Sequence, residues 1–431
     1  MLEINLSADD LAGSLLTISE REPVFILDSC GVGHLGSHLL IAGLRPVDSR
    51  ELRDESLTAI DLDLDRGLAA IFTLSYELGF RLQPGQSPGR DSEESDAFVS
   101  LFDALVIHDY DTGKTFVTGN ESRSREIREV LLDEKTRFVP GKVETSPSHA
   151  FSNFSKSQYI AAVKQIQELI RRGDTYQTNL TQQIVCPAQS PQTIYARLRR
   201  DHPAPFSAFI CRPGSTVVSA SPERFFRVDR AGMIEASPIK GTQRRGKTSE
   251  EDTRLREELE SSEKDRAENT MIVDLVRNDL GRVCEFGSVE VEKLCEIEEH
   301  PTLFHLVSTV HGKLRSGTKL TDVLQATFPC GSITGAPKIR TIQIIDEIEN
   351  LPRGLSMGAI GIFLPPNWSF GETKIDTVLD LSVAIRTIVV RDGEATFNVG
   401  GGIVIDSDPE KEYEESLLKA QALLAALQAH L

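Results

Sequence analysis

The sequence predicts an α+β fold built on antiparallel strands. Two observations carry this. Several short β-branched runs are joined pairwise by turn residues suited to hairpins, and charged segments with apolar residues at helical spacing fall between them. The length of 431 residues allows about three domains, or one large body with an appendage.

In chain order, Val24 to Leu27, Ala69 to Leu74 and Ala104 to His108 read as strands divided by polar loops. Gln83 to Glu94 is rich in Gly, Ser and charge and reads as an exposed loop. Residues 121–134 read as a charged helix, and residues 140–153 as a linker. This divides the chain into an N-terminal region, 1–140, and a second domain, 150–431. Tyr159, Val163, Ile166 and Ile170 share one helical face, and Gly173 supplies a stop. Phe206 to Cys211 and Thr216 to Ser221 flank Arg212-Pro213-Gly214-Ser215, a hairpin pattern. Arg224 to Val228 and Met233 to Ile239 form a second strand pair. Thr248 to about Asn278 is charge-rich and helical. Ala359 to Leu364, Leu381 to Val390 and Ala395 to Ile405 are strands, the last two around the hairpin signal Asp392-Gly393. Glu410 to Leu431 is a closing helix.

Lys+Arg 47 against Asp+Glu 65 leaves a net charge of −18. Such a chain repels phosphates, which argues against nucleic acid and anionic lipid as partners. An anionic substrate would need a metal ion or a local basic pocket. The six cysteines contain no CxxC pair. The start, MLEINLSADD, lacks the basic region of a signal or transit peptide, and Gly354 to Gly371, though uncharged, holds Pro365-Pro366 and Asn367 and does not read as a membrane span. A reduced, cytoplasmic enzyme is the expectation.

Five constellations could carry chemistry, each with a bland alternative. Asp265 with Glu268, and Glu412 with Glu415, are i, i+3 carboxylate pairs: solvated helix faces, or four ligands for a hard cation if the helices face each other. Lys240 precedes a Gly241-Thr242 turn: a surface lysine, an anion partner or a nucleophile. Glu223 ends a strand: a solvent-facing group, or a proton donor to a leaving hydroxyl. Arg386, read within the strand Leu381 to Val390, shares a face with Ser382 and Ala384, toward solvent or a carboxylate ligand. Gly400-Gly401-Gly402 marks a bulge or a close backbone approach, open to a ligand carboxylate.

Together these segments resemble the chorismate-utilising enzyme family. The matching stretches are TYQTNL (175–180), SPERF (221–225), PIKGT (238–242), EKDRAENTMIVDLVRNDLGRV (263–283), HLVSTV (305–310), GSITGAPKIRTIQIIDEIE (331–349), GAIG (358–361), AIRT (384–387), GGGIV (400–404) and EKEYEESLLKA (410–420), in family order. The resemblance implies large antiparallel sheets packed face to face with helices outside. It implies a Mg²⁺ ion held by Glu268 and Glu415, with Asp265 and Glu412 acting through waters. It places chorismate against Gly241, Thr242, His305, Thr334, Gly361, Arg386, Gly400, Gly401, Gly402 and Lys419. Relatives that add water to chorismate carry a lysine base where Gln177 stands, so this chain resembles the ammonia-using members. Lysine at 240 marks members that form 4-amino-4-deoxychorismate through a covalent Lys240 adduct, with Glu223 as general acid; anthranilate formation is the runner-up, and a non-catalytic chorismate-binding subunit a third reading. No glutaminase signature is present, so ammonia is expected from a glutamine amidotransferase subunit. Ser29, Pro205, Phe206 and Ser207, with Asp28, fall where anthranilate-forming relatives build a tryptophan pocket.

Overall fold

The computed structural model describes residues 1–33, 38–53, 58–82, 90, 92–133, 138, 148–299, 303–371, 373 and 375–431. Of the loop and linker read above, residues 83–89, 91 and 140–147 lie outside these.

Two large antiparallel sheets dominate the described residues. The first, of twelve strands, runs Leu2–Ile4, Lys114–Gly119, Ala104–Asp109, Leu39–Leu44, Val24–Asp28, Phe206–Arg212, Ser215–Ser221, Thr387–Arg391, Glu394–Ile403, Gln177–Pro187 and Phe151–Ser152, with Gly335–Ala336 against Gln177–Pro187. The second, of ten, runs Ile239–Arg244, Leu303–Lys313, Met233–Ala236, Arg224–Asp229, Thr377–Val383, Ala359–Phe363, Ala69–Leu74, Ala97–Phe102 and Asp48–Leu52, with Glu290–Glu299 against Leu303–Lys313. Both the first 140 residues and the remainder supply strands to both sheets.

The sheets pack face to face. Phe25, Ile210 and Val217 from the first interdigitate with Ile71, Phe98, Phe102 and Ile360 from the second. The Phe25 and Phe102 rings meet edge-on at 5.2 Å. Helices cover the outer faces: Ala8–Ile18, Pro191–Asp201 and Pro409–Leu427 pack on the first sheet, and Glu263–Gly281 and Leu320–Thr327 on the second. Near-continuous apolar runs such as Ala69–Leu74 and Ala97–Phe102, buried at every position, dictate this layering, because each sheet has two faces to bury.

Most elements fall where the sequence pattern puts them. The Ser155-capped helix spans Lys156–Arg171. Asp392 and Gly393 both take positive φ, 49° and 81°, as a two-residue hairpin turn requires. The charge-rich segment after Thr248 is two helices, Ser249–Glu260 and Glu263–Gly281, because Ser262 caps the second through Asp265. Several readings are corrected. The linker is strand at Ser148–His149 and Phe151–Ser152, and the closing helix stops at Leu427, before Ala429–His430, which pairs in parallel with Ser148–His149. Met233 to Ile239 is not one strand: it stops at Ala236, and Ile239 opens the next. Leu381 to Val390 is not one strand either. Thr377–Val383 ends in the second sheet and Thr387–Arg391 begins in the first. Ala384 to Arg386 carries the chain between sheets, with Arg386 at φ 49°, so Arg386 shares no pleated face with Ser382 and Ala384. Its β-branched neighbours satisfy two different strands, which periodicity cannot distinguish from one.

Candidate functional site

The site forms where the chain changes sheets. Ser215–Ser221 lies in the first sheet and Arg224–Asp229 in the second, so Pro222-Glu223 is a crossover. The Ala384 to Arg386 crossover lies beside it. Val383 N–H donates to the Glu223 carbonyl at 3.0 Å, and Ala220 N–H donates to the Arg386 carbonyl at 3.0 Å. Paired crossovers thus hold a carboxyl and a guanidinium at the rim of one cavity.

That cavity measures about 760 Å³, within the range of small-molecule sites. Lys240 enters from the second sheet. Between Ile239↔Val307 and Thr242↔His305 its strand carries one extra residue, a bulge with Gly241 at φ 86°. A bulge re-aims a side chain, and Lys240 Nζ donates to the Ser332 carbonyl at 3.4 Å. Thr242 Oγ1 meets His305 Nδ1 at 2.9 Å. Opposite lie Gly400 to Gly402, in register with Thr181, Leu180 and Asn179. A Cβ on Gly400 would lie 1.9 Å from the Leu180 carbonyl oxygen, and one on Gly402 would lie 2.2 Å from Gln177 Nε2. The glycines therefore mark close approach within an unbroken strand.

Four carboxylates converge here. Asp265 and Glu268 come from Glu263–Gly281, and Glu412 and Glu415 from Pro409–Leu427, one helix from each sheet's outer layer. Burial raises the Glu268 carboxyl above its ordinary pKa, against the pull of Lys240 and Lys264. Burial likewise raises Glu412, aided by Glu415 and opposed by the Ser407 hydroxyl. Burial works against the charge on Glu415, but Lys419, 2.8 Å away, together with Lys264 and Lys240 holds its pKa low. Lys419 also donates to the Gly400 carbonyl at 2.9 Å.

Among the described residues, no three His, Cys, Asp or Glu side chains form a ready metal cage. The donor chemistry nonetheless fits a hard divalent cation: four carboxylates on one cavity, two of them raised in pKa by burial and neighbouring acids.

Glu223 is buried, and desolvation raises its pKa, partly offset by the Ser332 hydroxyl and Lys240. Its Oε1 has no hydrogen-bond partner. Arg386 is solvent-exposed and lines the cavity, and the protein around it depresses its pKa through desolvation, with no carboxylate acting on it.

Two proposed substrate contacts do not line the cavity. Thr334 is fully buried and donates to the Cys330 and Gly331 carbonyls. Gly361 faces inward, where a Cβ would lie 2.5 Å from the Phe72 ring. Both sit at motif positions that pack into the protein and are not part of the cavity lining. Conversely, Asn179 and Asn398 line the cavity unread. Asn179 Nδ2 and Asn398 Oδ1 are buried without partners. An asparagine in a strand, where that residue is disfavoured, was the available signal.

A second cavity, about 100 Å³, brings together Asp28, Ser29, Pro205, Phe206 and Ser207. Asp28 is already engaged there: it accepts from Arg199 Nε at 2.8 Å and Tyr110 Oη at 2.7 Å.

A two-sheet sandwich with cations, carboxylates and glycine backbone around one cavity defines a small-molecule enzyme fold for anionic ligands. The chain belongs to the chorismate binding enzyme family, whose model matches residues 42–425. It is 38% identical over 400 residues to an aminodeoxychorismate synthase of Streptomyces pristinaespiralis, covering 88% of this chain and 54% of that protein. It is 37% identical over 350 residues to aminodeoxychorismate synthase component 1 of Bacillus subtilis, covering 78% and 72%. The chain thus spans about half the length of the first relative. Among solved structures, anthranilate synthase component I from Streptococcus pneumoniae superposes with a TM-score of 0.76 at 26% identity, covering 91% of this chain and 93% of that one. No helix of the described residues is long and apolar enough to cross a membrane.

Proposed function

We propose that this chain aminates chorismate with ammonia to 4-amino-4-deoxychorismate, the precursor of 4-aminobenzoate. The observation that carries the proposal is Lys240, turned by its bulge into the same cavity as Glu223 and Arg386. The relatives that are aminodeoxychorismate synthases support this reading.

Chorismate carries two carboxylates, and in a protein of charge −18 they need local countercharge. Arg386, Lys419 and the Gly400 to Gly402 backbone face one end of the cavity and suit the enolpyruvyl carboxylate. Gly241 and Thr242 offer backbone N–H groups toward the ring carboxylate. Glu268, Glu415, Asp265 and Glu412 would hold Mg²⁺, whose chemistry is to neutralise that ring carboxylate and so lower the cost of nucleophilic attack.

Hydroxide leaves poorly, so the leaving oxygen needs a proton. Burial keeps Glu223 protonated to higher pH than an exposed glutamate, which suits a general acid. Neutral Lys240 attacks ring carbon 2; the two ring double bonds both shift, from C1=C2 to C1=C6 and from C5=C6 to C4=C5, the carbon 4 C–O bond breaks, and the oxygen leaves as water with the Glu223 proton, after which the adduct nitrogen returns a proton to Glu223. Ammonia then attacks carbon 4, both double bonds shift back to C5=C6 and C1=C2, and the carbon 2–nitrogen bond breaks. The departing lysine nitrogen takes up the proton that the new amine sheds. The ammonia is supplied by a separate glutamine amidotransferase subunit, in the cytoplasm.

Purified protein with chorismate, Mg²⁺ and ammonium is expected to form 4-amino-4-deoxychorismate by mass spectrometry. Anthranilate as sole product would overturn the proposal in favour of anthranilate synthesis, whose component I shares the fold. Chorismate binding without turnover, with an active glutaminase present, would favour a non-catalytic subunit. Lys240→Ala is expected to abolish the covalent adduct in intact-protein mass spectra and to lower the rate by roughly 10²-fold or more.

A further inference from the structure

Arg353 lies outside the cavity, 3% exposed. Its guanidinium makes a two-pronged pair with Glu349: Nε to Oε2 at 2.8 Å and Nη2 to Oε1 at 2.7 Å. Nη1 donates to the Ile333 carbonyl at 3.0 Å, and Nη2 to the Asn179 carbonyl at 2.7 Å. The Tyr76 ring lies 4.5 Å beneath its centre. Glu349 Oε1 also accepts from Thr181 N–H at 2.7 Å, and Glu77 Oε1 accepts from Arg353's own N–H at 2.8 Å. One buried side chain thus joins the strand Gln177–Pro187, the turn Gly331–Ile333, the end of the helix Lys338–Ile348 and the segment after Ala69–Leu74.

The two carbonyls it holds belong to cavity-lining residues, Ile333 and Asn179. The residue before Ile333 is Ser332, whose carbonyl accepts from Lys240 and whose hydroxyl bears on Glu223. Stability alone does not call for this arrangement. Burying an ion pair gains little over apolar filling of equal volume, whereas a planar fork fixes its acceptors in direction. We propose that Arg353 is a positioning residue for the amination proposed above, on which this inference rests: it sets the Ser332–Ile333 turn and the Asn179 backbone so that Lys240 and Glu223 face the bound ring together.

The test measures kcat and chorismate KM, with ammonium and Mg²⁺, for the wild type, Arg353→Lys and Glu349→Gln, normalised to the folded fraction by near-UV circular dichroism. Arg353→Lys keeps the charge but loses the fork. It is expected to lower kcat roughly tenfold or more, as a small misplacement does, with KM changed less than about threefold, since the carboxylate-binding groups are untouched. Glu349→Gln, which keeps an oxygen for Thr181, is expected to show the same split and decides the matter if Arg353→Lys does not fold. Activity per folded molecule equal to wild type in the folding variants, or a rise in KM alone, overturns the inference. A wild type that forms no amino product overturns the amination reading itself, and the positioning role with it; an active wild type with unaffected variants overturns only the role of Arg353.

Discussion

Replacing Glu77 by glutamine should change the pH dependence of stability by a calculable amount. Glu77 is 5% exposed, and burial raises its carboxyl from 4.5 to about 7, against hydrogen bonds from the Arg353 backbone and the Arg353 charge. Its Oε2 has no partner. Below pH 4.5 both folded and unfolded chains hold the proton, and the group's contribution is fully present. Between 4.5 and about 7 the unfolded chain releases the proton while the folded chain keeps it, so stability falls as pH rises and levels off above 7. At about 1.4 kcal/mol per pH unit, the gap amounts to ~3 kcal/mol. Glutamine keeps the oxygen facing Arg353 N–H and does not titrate. The stability of Glu77→Gln relative to wild type should therefore rise by ~3 kcal/mol between pH 4.5 and pH 8. Urea denaturation at 25 °C, followed by circular dichroism at four pH values, gives that difference, and other titrating groups cancel between the two proteins. A difference that stays flat with pH would mean that Glu77 is already ionised against Arg353, and would refute the burial argument.

Three further outcomes are expected. Gly400→Ala should destabilise by more than ~3 kcal/mol, since its Cβ would strike backbone of the neighbouring strand, whereas Gly401→Ala, whose nearest contact is Lys419 Nζ at 3.4 Å, should stay within about 1 kcal/mol; equal melting temperatures for the two would contradict the register. Arg386→Met should raise chorismate KM roughly 10²-fold; an unchanged KM in steady-state assays would remove Arg386 from the carboxylate site. Glu268→Gln should weaken Mg²⁺ binding in calorimetric titration by roughly tenfold or more, about 1.4 kcal/mol; an identical titration would exclude Glu268 as a ligand.

Much of the site was legible because its parts are local. Gly241-Thr242 reads as a turn, and the structure corrects it to a bulge inside the strand Ile239–Arg244, where the same glycine freedom is used. Two i, i+3 carboxylate pairs each share a helix face whatever the fold. Every family motif except GAIG (358–361) contributes residues to the cavity lining. What failed was reading a face from alternation at Arg386. Its apolar neighbours belong to strands of two different sheets, and a crossover leaves no mark on a period-two pattern. Thr334 and Gly361 lie outside the cavity lining for a related reason: a motif position records that a residue is needed, not whether ligand or packing needs it. Asn179 and Asn398 were missed because a polar residue in a strand announces itself only once the sheet's neighbours are known.

The sequence by itself determined the elements, the acidic balance, the hairpin turns and the residue types available for chemistry, since these follow from local propensity and periodicity. Only the tertiary structure decided which of those residues meet. Glu223 and Arg386 lie 163 positions apart, yet they share a cavity wall because two sheet-to-sheet crossovers are hydrogen-bonded side by side. The four carboxylates converge because helices from opposite outer layers reach the same opening. Contacts of that range depend on how whole sheets stack, which is a property of the buried apolar faces together and of no single segment.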